Sequence, residues 1–273
     1  VATPIGNLAD ISYRAIELLK EIDLLLVEDT RVTQRLLHRY SIKGRSIVLH
    51  DHNERDLIDT LLSRLINERL AVALLSDAGT PLIADPGYRL VGAVHEAKIP
   101  VRSLPGPCAA VAALSIAGIP SDRFVFEGFL PARQSARIRR LHSLAVEART
   151  MIFYEAPHRI RATIQDLRAV FGDERHVAVA RELTKLHETL YRGPLGAVAD
   201  AMHADENAAR GEIVIVLAGA VEHVTGEDER TAKQMVGVLS RHVSKSDAIK
   251  IAAELSGVTR NVLYRIVHDS DAG

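Results

Sequence analysis

Residues 74–90 read LLSDAGTPLIADPGYRL and extend an apolar run, 70–75, that is typical of a buried strand. Two aspartates, two glycines and two prolines crowd into the dozen residues that follow this run. A simple corner needs only one or two turn residues. The loop is therefore either an unusually elaborate corner or the place where a ligand binds.

The same rhythm continues on both sides of this loop. Apolar runs predict strands over residues 22–27, 46–49, 70–75 and 99–104. The amphipathic segments between them, such as 54–68, predict helices. Such alternation favours a parallel sheet with helices on its faces. Gly118 and Pro120 then interrupt the pattern, which predicts an N-terminal α/β domain over residues 1–118.

Residues 119–220 predict a second α/β domain. Its strands are predicted over 124–129, 150–154, 177–180 and 212–217, and its helices near 133–147 and 157–171. Residues 223–273 predict a small helical region in which a helix, a turn at Gly257 and a second helix are typical of a helix-turn-helix. The predicted fold class is α/β, with two α/β domains, a mainly parallel sheet in the first, and a C-terminal helical region.

Composition narrows the class of protein. The 273 residues carry a net charge of −1, so no strong field attracts a polyanion and nucleic-acid contacts would need local basic patches. The single cysteine, Cys108, excludes an internal disulfide and favours a reducing cytoplasm. No apolar run approaches the ~20 residues that cross a bilayer, so we expect no membrane association. The chain begins at Val1 without a methionine, and we expect the first residues of an opening strand to be missing.

Polar, glycine and proline clusters follow the carboxyl ends of the predicted strands, at residues 3–7, 28–31, 50–53, 76–86 and 105–107. Ligands of open parallel sheets bind at that edge, so the clusters predict one ligand site. The dinucleotide and Walker fingerprints are absent. A carboxylate ~4 Å from a phosphate would cost about 4 kcal/mol at an effective dielectric of about 20, so Asp77 and Asp85 disfavour a pyrophosphate. The edge suits a nucleoside-like ligand with hydroxyls, a positive centre and an apolar body.

Eight motifs occur in one order along the chain: TPIGNL, EDTR, HDHNE, SDAGTPLIADPG, PGPCAAVAAL, GFLP, FYEAPHR and ARELTK. With them, residues 1 to about 268 resemble the ribosomal RNA small subunit methyltransferase I family of the tetrapyrrole methylase superfamily. The resemblance implies an S-adenosylmethionine-dependent methyltransferase of the tetrapyrrole methylase fold, with the cofactor between two domains. It also implies 2′-O-methylation of a cytidine ribose in the decoding region of small-subunit (16S-type) ribosomal RNA, a homodimer, and the RNA or assembled subunit as partner, with no DNA.

The resemblance also implies which residues bind S-adenosylmethionine: Ile5, Asp77, Ala78, Gly79, Thr80, Pro81, Cys108, Ala109, Phe153, Tyr154 and Glu212. A helix that begins after residues 105–107 would offer free N–H groups to the methionine carboxylate of the cofactor. Transfer from a sulfonium needs no covalent enzyme intermediate, so a packed thiol is preferred to a nucleophile at Cys108. Plain core aromatics are the alternative for Phe153 and Tyr154.

Catalysis requires an in-line approach of the ribose hydroxyl and the loss of its proton. Positioning of the reactants can lower the activation barrier by ~7–11 kcal/mol, whereas a general base raises the rate by about 10²–10⁴-fold, so positioning is the larger effect. EDTR and ARELTK each pair a carboxylate with a cation, and the predicted catalytic residues are Glu28, Asp29, Arg31, Glu182 and Lys185, with Asp29 and Arg31 preferred. The alternative is that these groups form salt bridges across the domain interface. His50 and His52 could share a metal, but no third ligand follows by spacing, so substrate binding or helix capping is preferred.

Basic residues predict the RNA contacts. Segment 131–142 holds arginines without an acid, and the second helix of the C-terminal region begins near another; these are Arg133, Arg137, Arg139, Arg140 and Arg260. We expect contacts to phosphates and shape, because the grooves of A-form RNA do not admit a recognition helix. A solvated helix face is the alternative for the first four. The rival functions are a tetrapyrrole or other small-molecule methylase of the superfamily, and a non-catalytic RNA- or DNA-binding module.

Overall fold

Short apolar segments form a three-stranded parallel sheet in the first part of the chain. The computed structural model describes residues 1–50, 52–220, 226–258 and 260–268. Strands β1 (Leu24–Val27), β2 (Arg45–Val48) and β3 (Val72–Leu75) lie in the order β2-β1-β3. Every residue of β1 is buried, as expected for the central strand of a sheet that is covered on both faces.

Five helices accompany this sheet: α1 (Tyr13–Leu19), α2 (Thr30–Arg39), α3 (Glu54–Asn67), α4 (Tyr88–Glu96) and α5 (Ala109–Ala117). Side chains cap the first two, because Ser12 accepts from the Ala15 N–H and Asp29 accepts from the Arg31 N–H. The predicted strand over 99–104 does not form. Leu104 is buried, but its neighbours are largely exposed, and its carbonyl accepts a single hydrogen bond, from Ala2 N, in place of a ladder.

The second sheet has five strands: β4 (Phe124–Phe129), β5 (Thr150–Glu155), β6 (His176–Arg181), β7 (Thr189–Pro194) and β8 (Ile213–Leu217). Their order is β4-β5-β8-β6-β7, and only the β4–β5 pair is parallel. Strand β7 is absent from the sequence-based prediction. It is an edge strand whose residues, TLYRGP, form no apolar run.

Helices cover both faces of this second sheet. One face packs on α6 (Gln134–Ser143), α7 (Ile160–Phe171) and α8 (Leu195–Ala204), and receives Met151 and Phe153 of β5. The other face receives Ile152 and packs on α5, whose Ala113 and Ala117 are fully buried. Helix α5 therefore joins the first part of the chain to the second sheet, and the predicted α/β fold class is confirmed.

The chain folds as two compact units, Val1–Gly219 and Ala220–Gly273. The second unit holds α9 (Gly226–Leu239), α10 (Lys245–Ser256) and α11 (Arg260–His268). Ser244 caps α10, and Gly257, with φ 73°, ends it at the predicted turn. The predicted helical region includes residues 223–225 and 269–273, which lie outside the described residues. Among the helices described, none has the length and apolar character that crossing a bilayer demands.

Candidate functional site

Four of the five polar clusters are in contact beside the carboxyl ends of β1 and β3. After β1, the Asp29 N–H donates to Asp77 Oδ1 after β3, at 3.0 Å. Thr3 and Gly79 exchange two backbone hydrogen bonds, of 2.8 and 3.0 Å. Thr80 Oγ1 donates to the carbonyl of Pro107, at 2.9 Å. The predicted cofactor-binding residues of three separate chain segments are therefore neighbours.

The fifth cluster, residues 50–53, closes on itself at the start of α3. The His50 N–H donates to Asn53 Oδ1 at 2.8 Å, and the Asn53 N–H donates to His50 Nδ1 at 3.2 Å. The imidazole of His52 lies 5.9 Å from that of His50, and Asp51 lies outside the described residues. Within the described residues, no group of three or more His, Cys, Asp or Glu side chains could hold a metal ion.

Backbone strain is concentrated in two loops of the site. Seven residues other than glycine have positive φ in the described part of the chain. Three of them, Ser41, Arg69 and Lys98, stand just after the ends of helices, where a left-handed residue is usual. The other four have no such role: Leu82 and Ala84 lie in the loop after β3, and Glu182 and Thr184 lie in the loop after β6. Strained residues of this kind cluster at functional sites.

The strained loop after β6 packs against the loop of residues 3–7. The Asn7 N–H donates to Thr184 Oγ1 at 3.1 Å. A Cβ on Gly6 would stand 2.5 Å from Cγ of Lys185, so only glycine fits there without a shift. On its other side, Ile5 lies against Gly79, where an added Cβ would be 3.4 Å from Cγ2 of Ile5. One short loop thus links the predicted cofactor residues to the predicted catalytic pair Glu182 and Lys185.

The two carboxylate–cation motifs form ion pairs within themselves. Arg31 Nη2 donates to Asp29 Oδ2 at 2.7 Å, and Lys185 Nζ lies 2.7 Å from Glu182 Oε1. Lys185 Nζ also lies 3.1 Å from Oε2 of Glu212. Asp29 and Arg31, and likewise Glu182 and Lys185, therefore pair within their own motifs.

These contacts set the charge states of the site. Hydrogen bonds from Arg31 hold the pKa of Asp29 below its usual range, whereas burial raises the pKa of Asp77. Burial alone would raise the pKa of Glu182, yet hydrogen bonds from Lys185 and from the backbone of Glu212 lower it. Burial alone would lower the pKa of Lys185, yet its bonds to the two glutamates raise it. Asp77 is thus a better proton acceptor than the predicted Asp29. The neighbouring predicted residue, Glu28, is half-buried.

Tyr154 borders the start of α5. The Ala110 N–H donates to its hydroxyl at 3.2 Å, and burial, together with Cys108, raises the pKa of Tyr154 to about 12. Cys108 and Ala109 are half-buried at this helix end. Phe153 points to the opposite face of the sheet and is fully buried among α6, α7 and α8. Its side chain lies on the face away from α5, because successive residues of a strand alternate between faces, and the prediction that Phe153 binds the cofactor stays a prediction.

The arginines of the predicted RNA patch have different environments. Arg137 is buried and pairs with Asp166 at 2.7 Å, so its prediction as an RNA contact is wrong. Arg140 is partly exposed and pairs with Glu127 at 2.5 Å. Arg133 and Arg139 are exposed. Arg260 is exposed in the C-terminal unit and lies 3.8 Å from Glu254.

The site residues have the chemistry that a nucleoside sulfonium needs. Asp77 supplies negative charge, Ile5 and Pro81 supply apolar surface, and the first turn of α5 supplies N–H groups. Gly79, with φ 86°, keeps the backbone of the loop against Ile5 without a side chain. No lysine or arginine lies between residues 70 and 88, so the loop itself offers no cation for a phosphate.

This chain is similar to one family of methyltransferases over most of its length. The model of the family Tetrapyrrole (Corrin/Porphyrin) Methylases matches residues 1–199. The chain is 47% identical to the ribosomal RNA small subunit methyltransferase I of Escherichia coli O157:H7, over 97% of this chain and 92% of the relative. It is 43% identical to the protein of that name from Synechocystis sp. (strain ATCC 27184 / PCC 6803 / Kazusa), over 100% of this chain and 97% of the relative.

Solved structures share the fold at low sequence identity. A diphthine synthase has a TM-score of 0.59 at 15% identity and covers 80% of this chain and 88% of its own. A uroporphyrin-III C-methyl transferase from Thermus thermophilus, complexed with S-adenyl homocysteine, has a TM-score of 0.54 at 17% identity, over 80% of this chain and 95% of its own.

Proposed function

Because the chain belongs to the ribosomal RNA small subunit methyltransferase I family of the tetrapyrrole methylases, we propose that it methylates small-subunit ribosomal RNA with S-adenosylmethionine. The acceptor we propose is the ribose 2′-hydroxyl of a cytidine in the decoding region, which rests on the motif resemblance. The similarity of 43–47% over nearly the whole chain carries the proposal.

The extent of that similarity favours RNA over a tetrapyrrole. The tetrapyrrole methylase match ends at residue 199, whereas the RNA methyltransferase relatives align over 97–100% of the chain. Shared sequence therefore continues into the helical unit Ala220–Gly273. A small-molecule methylase has little use for such a unit, and this observation supports a macromolecular substrate.

S-adenosylmethionine supplies a methyl group on a positively charged sulfur. Ile5, Gly79, Thr80 and Pro81 would hold its nucleoside part, and Asp77 would accept a hydrogen bond from a ribose hydroxyl. The carboxylate of Asp77 favours a positive ligand, because opposite charges attract most strongly where water is partly excluded. The start of α5, at Cys108 and Ala109, would face the methionine carboxylate.

Neither Asp29 nor Glu182 is a strong base for the proton of the attacking hydroxyl. The lowered pKa values of Asp29 and Glu182 make both weak acceptors, and Tyr154, with a pKa of about 12, stays protonated. Lys185 stays cationic between Glu182 and Glu212. We therefore assign most of the rate to positioning, with Lys185 stabilising the negative charge that develops on the ribose oxygen.

Methyl transfer from labelled S-adenosylmethionine tests this function. Naked small-subunit RNA, assembled small subunits and a tetrapyrrole are offered separately, and labelled RNA is digested to nucleosides for mass spectrometry. We expect 2′-O-methylcytidine from one of the two RNA substrates. Label in the tetrapyrrole alone would remove the RNA assignment, and a base-methylated nucleoside would remove the ribose assignment.

Two lysine variants test whether Lys185 stabilises the charge that develops on the ribose oxygen. Lys185→Met should lower kcat strongly, and Lys43→Met, at an exposed lysine before β2, is the matched control. Equal rates for the two variants would contradict the role of Lys185.

We also propose a homodimer that works in the cytoplasm, where its RNA substrate is made. The division into domains 1–118 and 119–220 stays a proposal too. Light scattering measures the mass of the assembly in solution, and a monomer that retains full activity would exclude the dimer as a requirement.

A further inference from the structure

A β-bulge turns an exposed aromatic ring towards the candidate site. Strand β4 pairs with β5 in register up to Phe126 opposite Ile152, and the register then shifts so that Phe129 lies opposite Tyr154. The extra residue is Glu127, and Gly128 next to it takes the positive φ of 65° and pairs with Phe153. Side chains of a regular strand alternate, so Phe126 and Phe129 would point to opposite faces without the bulge. With it, both rings meet Tyr154 edge-on, at centroid distances of 4.9 and 5.7 Å.

Two arginines fix the backbone that follows this ring. Arg159 Nη2 donates to the carbonyl of Leu130 at 2.6 Å, and Arg137 Nη1 donates to that of Ala132 at 3.2 Å. Each guanidinium is anchored in turn, Arg137 by Asp166 at 2.7 Å and Arg159 by Glu155 at 3.1 Å. The turn after Phe129 is therefore held rigidly by groups that are themselves largely buried.

This rigid frame leaves an apolar ring in contact with water. Phe129 is 56% exposed, although Tyr154 beside it is half-buried and reaches the first turn of α5. Through Tyr154 the ring lies close to the start of α5, where the methionine carboxylate of the proposed cofactor would bind. Fixing an exposed ring so firmly gives a ligand a preformed flat surface, at little cost in conformational entropy on binding.

We propose that Phe129 is the surface on which the target nucleobase of the RNA stacks. This inference rests on the proposed function, since a 2′-hydroxyl reaches an enclosed methyl donor only when its nucleotide leaves the RNA helix. Unstacked bases bind aromatic side chains through their faces, and phenylalanine adds no hydrogen bond. Phe129 would therefore hold the nucleotide in position without reading which base it carries.

Substitutions at Phe129 test the inference in the full-length protein. Base–aromatic stacking predicts a loss of about 5- to 150-fold in kcat/KM for the RNA in Phe129→Ala, with an unchanged affinity for S-adenosylmethionine in calorimetry. Phe129→Tyr should restore most of the activity, because its ring has the same faces. Phe124→Ala is the matched control, since Phe124 is 43% exposed at the other end of the same strand.

A fluorescent probe reports stacking without turnover. A short RNA with pyrrolocytidine in place of the methylated cytidine should lose fluorescence on binding the wild-type protein and the Phe124→Ala variant, but not Phe129→Ala. Unchanged quenching and unchanged kcat/KM in Phe129→Ala would overturn the inference.

Light scattering separates base stacking from an interface role of the ring, and the activity of the wild-type protein separates failure of this inference from failure of the proposed function. A lower assembly mass of Phe129→Ala in light scattering would make the ring part of an interface between copies of the chain, and would also overturn the inference. Wild-type protein that methylates no RNA would remove the proposed function and this inference together, whereas an active wild type with an equally active Phe129→Ala would remove this inference alone.

Discussion

Replacing Arg137 by alanine should unfold the protein more easily without weakening its contacts to RNA phosphates. The side chains of Arg137 and Asp166 are 4% and 6% exposed, and their charged atoms are 2.7 Å apart. Without Arg137, the Asp166 carboxylate stays buried with Gln134 Nε2, at 2.9 Å, on its other oxygen. Removing one partner of a buried ion pair costs about 3–5 kcal/mol. At about 2–4 °C per kcal/mol, Tm should fall by about 6–20 °C.

Thermal unfolding and RNA binding at several salt concentrations measure the two effects separately. Arg139→Ala is the matched control on the same helix, because Arg139 is exposed. It should leave Tm unchanged and, if it contacts a phosphate, reduce the slope of log affinity against log salt by about 0.7–0.9. Replacing both partners, as Arg137→Met with Asp166→Leu, should recover most of the lost stability because no buried charge remains unpaired.

The opposite pattern would refute this reasoning. If Arg137→Ala kept the wild-type Tm while RNA affinity and its salt slope both fell, Arg137 would be an RNA ligand and its burial against Asp166 would not describe the protein in solution.

Three more predictions concern the candidate site. Burial raises the pKa of Asp77, so the affinity for S-adenosylmethionine should be constant at pH values above that pKa and should weaken as the pH falls through it. In calorimetry, the Asp77→Asn variant should bind with an affinity that does not depend on pH in this range. A pH dependence that persists in this variant would implicate another group. In an ultraviolet titration, Tyr154→Phe should remove a phenol with a pKa of about 12. If the phenol that disappears titrates in the ordinary tyrosine range, the burial of Tyr154 is contradicted. Gly211→Ala should lower both Tm and activity, because the new Cβ would overlap the carboxylate of Glu182. Gly172→Ala, where φ is also positive but the space is open, should lower Tm alone; equal activity losses would show that the Glu182 contact is unimportant.

The sequence predicts those parts of the fold that depend on local pattern. Apolar runs mark β1 and β5 to within two residues, and Gly257 marks the end of α10. The convergence of the loops after β1 and β3 follows from parallel strands alone, because parallel strands share one carboxyl edge.

The parts that the sequence does not predict depend on partners far along the chain. Arg137 has the pattern of an exposed helix residue, and only Asp166, 29 residues away on α7, makes it a buried one. The bulge that turns Phe129 to the side of Tyr154 depends on pairing with β5. The apolar run 99–104 does not pair with a neighbouring strand, whereas the polar edge strand β7 forms an antiparallel ladder with β6. Tertiary pairing decides each of these positions.

The order of the second sheet affects how this protein folds as it is synthesised. Strand β8 is the last of the five to be made, yet it lies at the centre and joins β5 to β6. Until Leu217 has left the ribosome, the earlier strands form two separate pairs, and each pair presents an open edge. Such edges are where other chains attach. Nascent chains that stop short of β8 should therefore depend on chaperones, because the sheet closes only when the last of its five strands has been made.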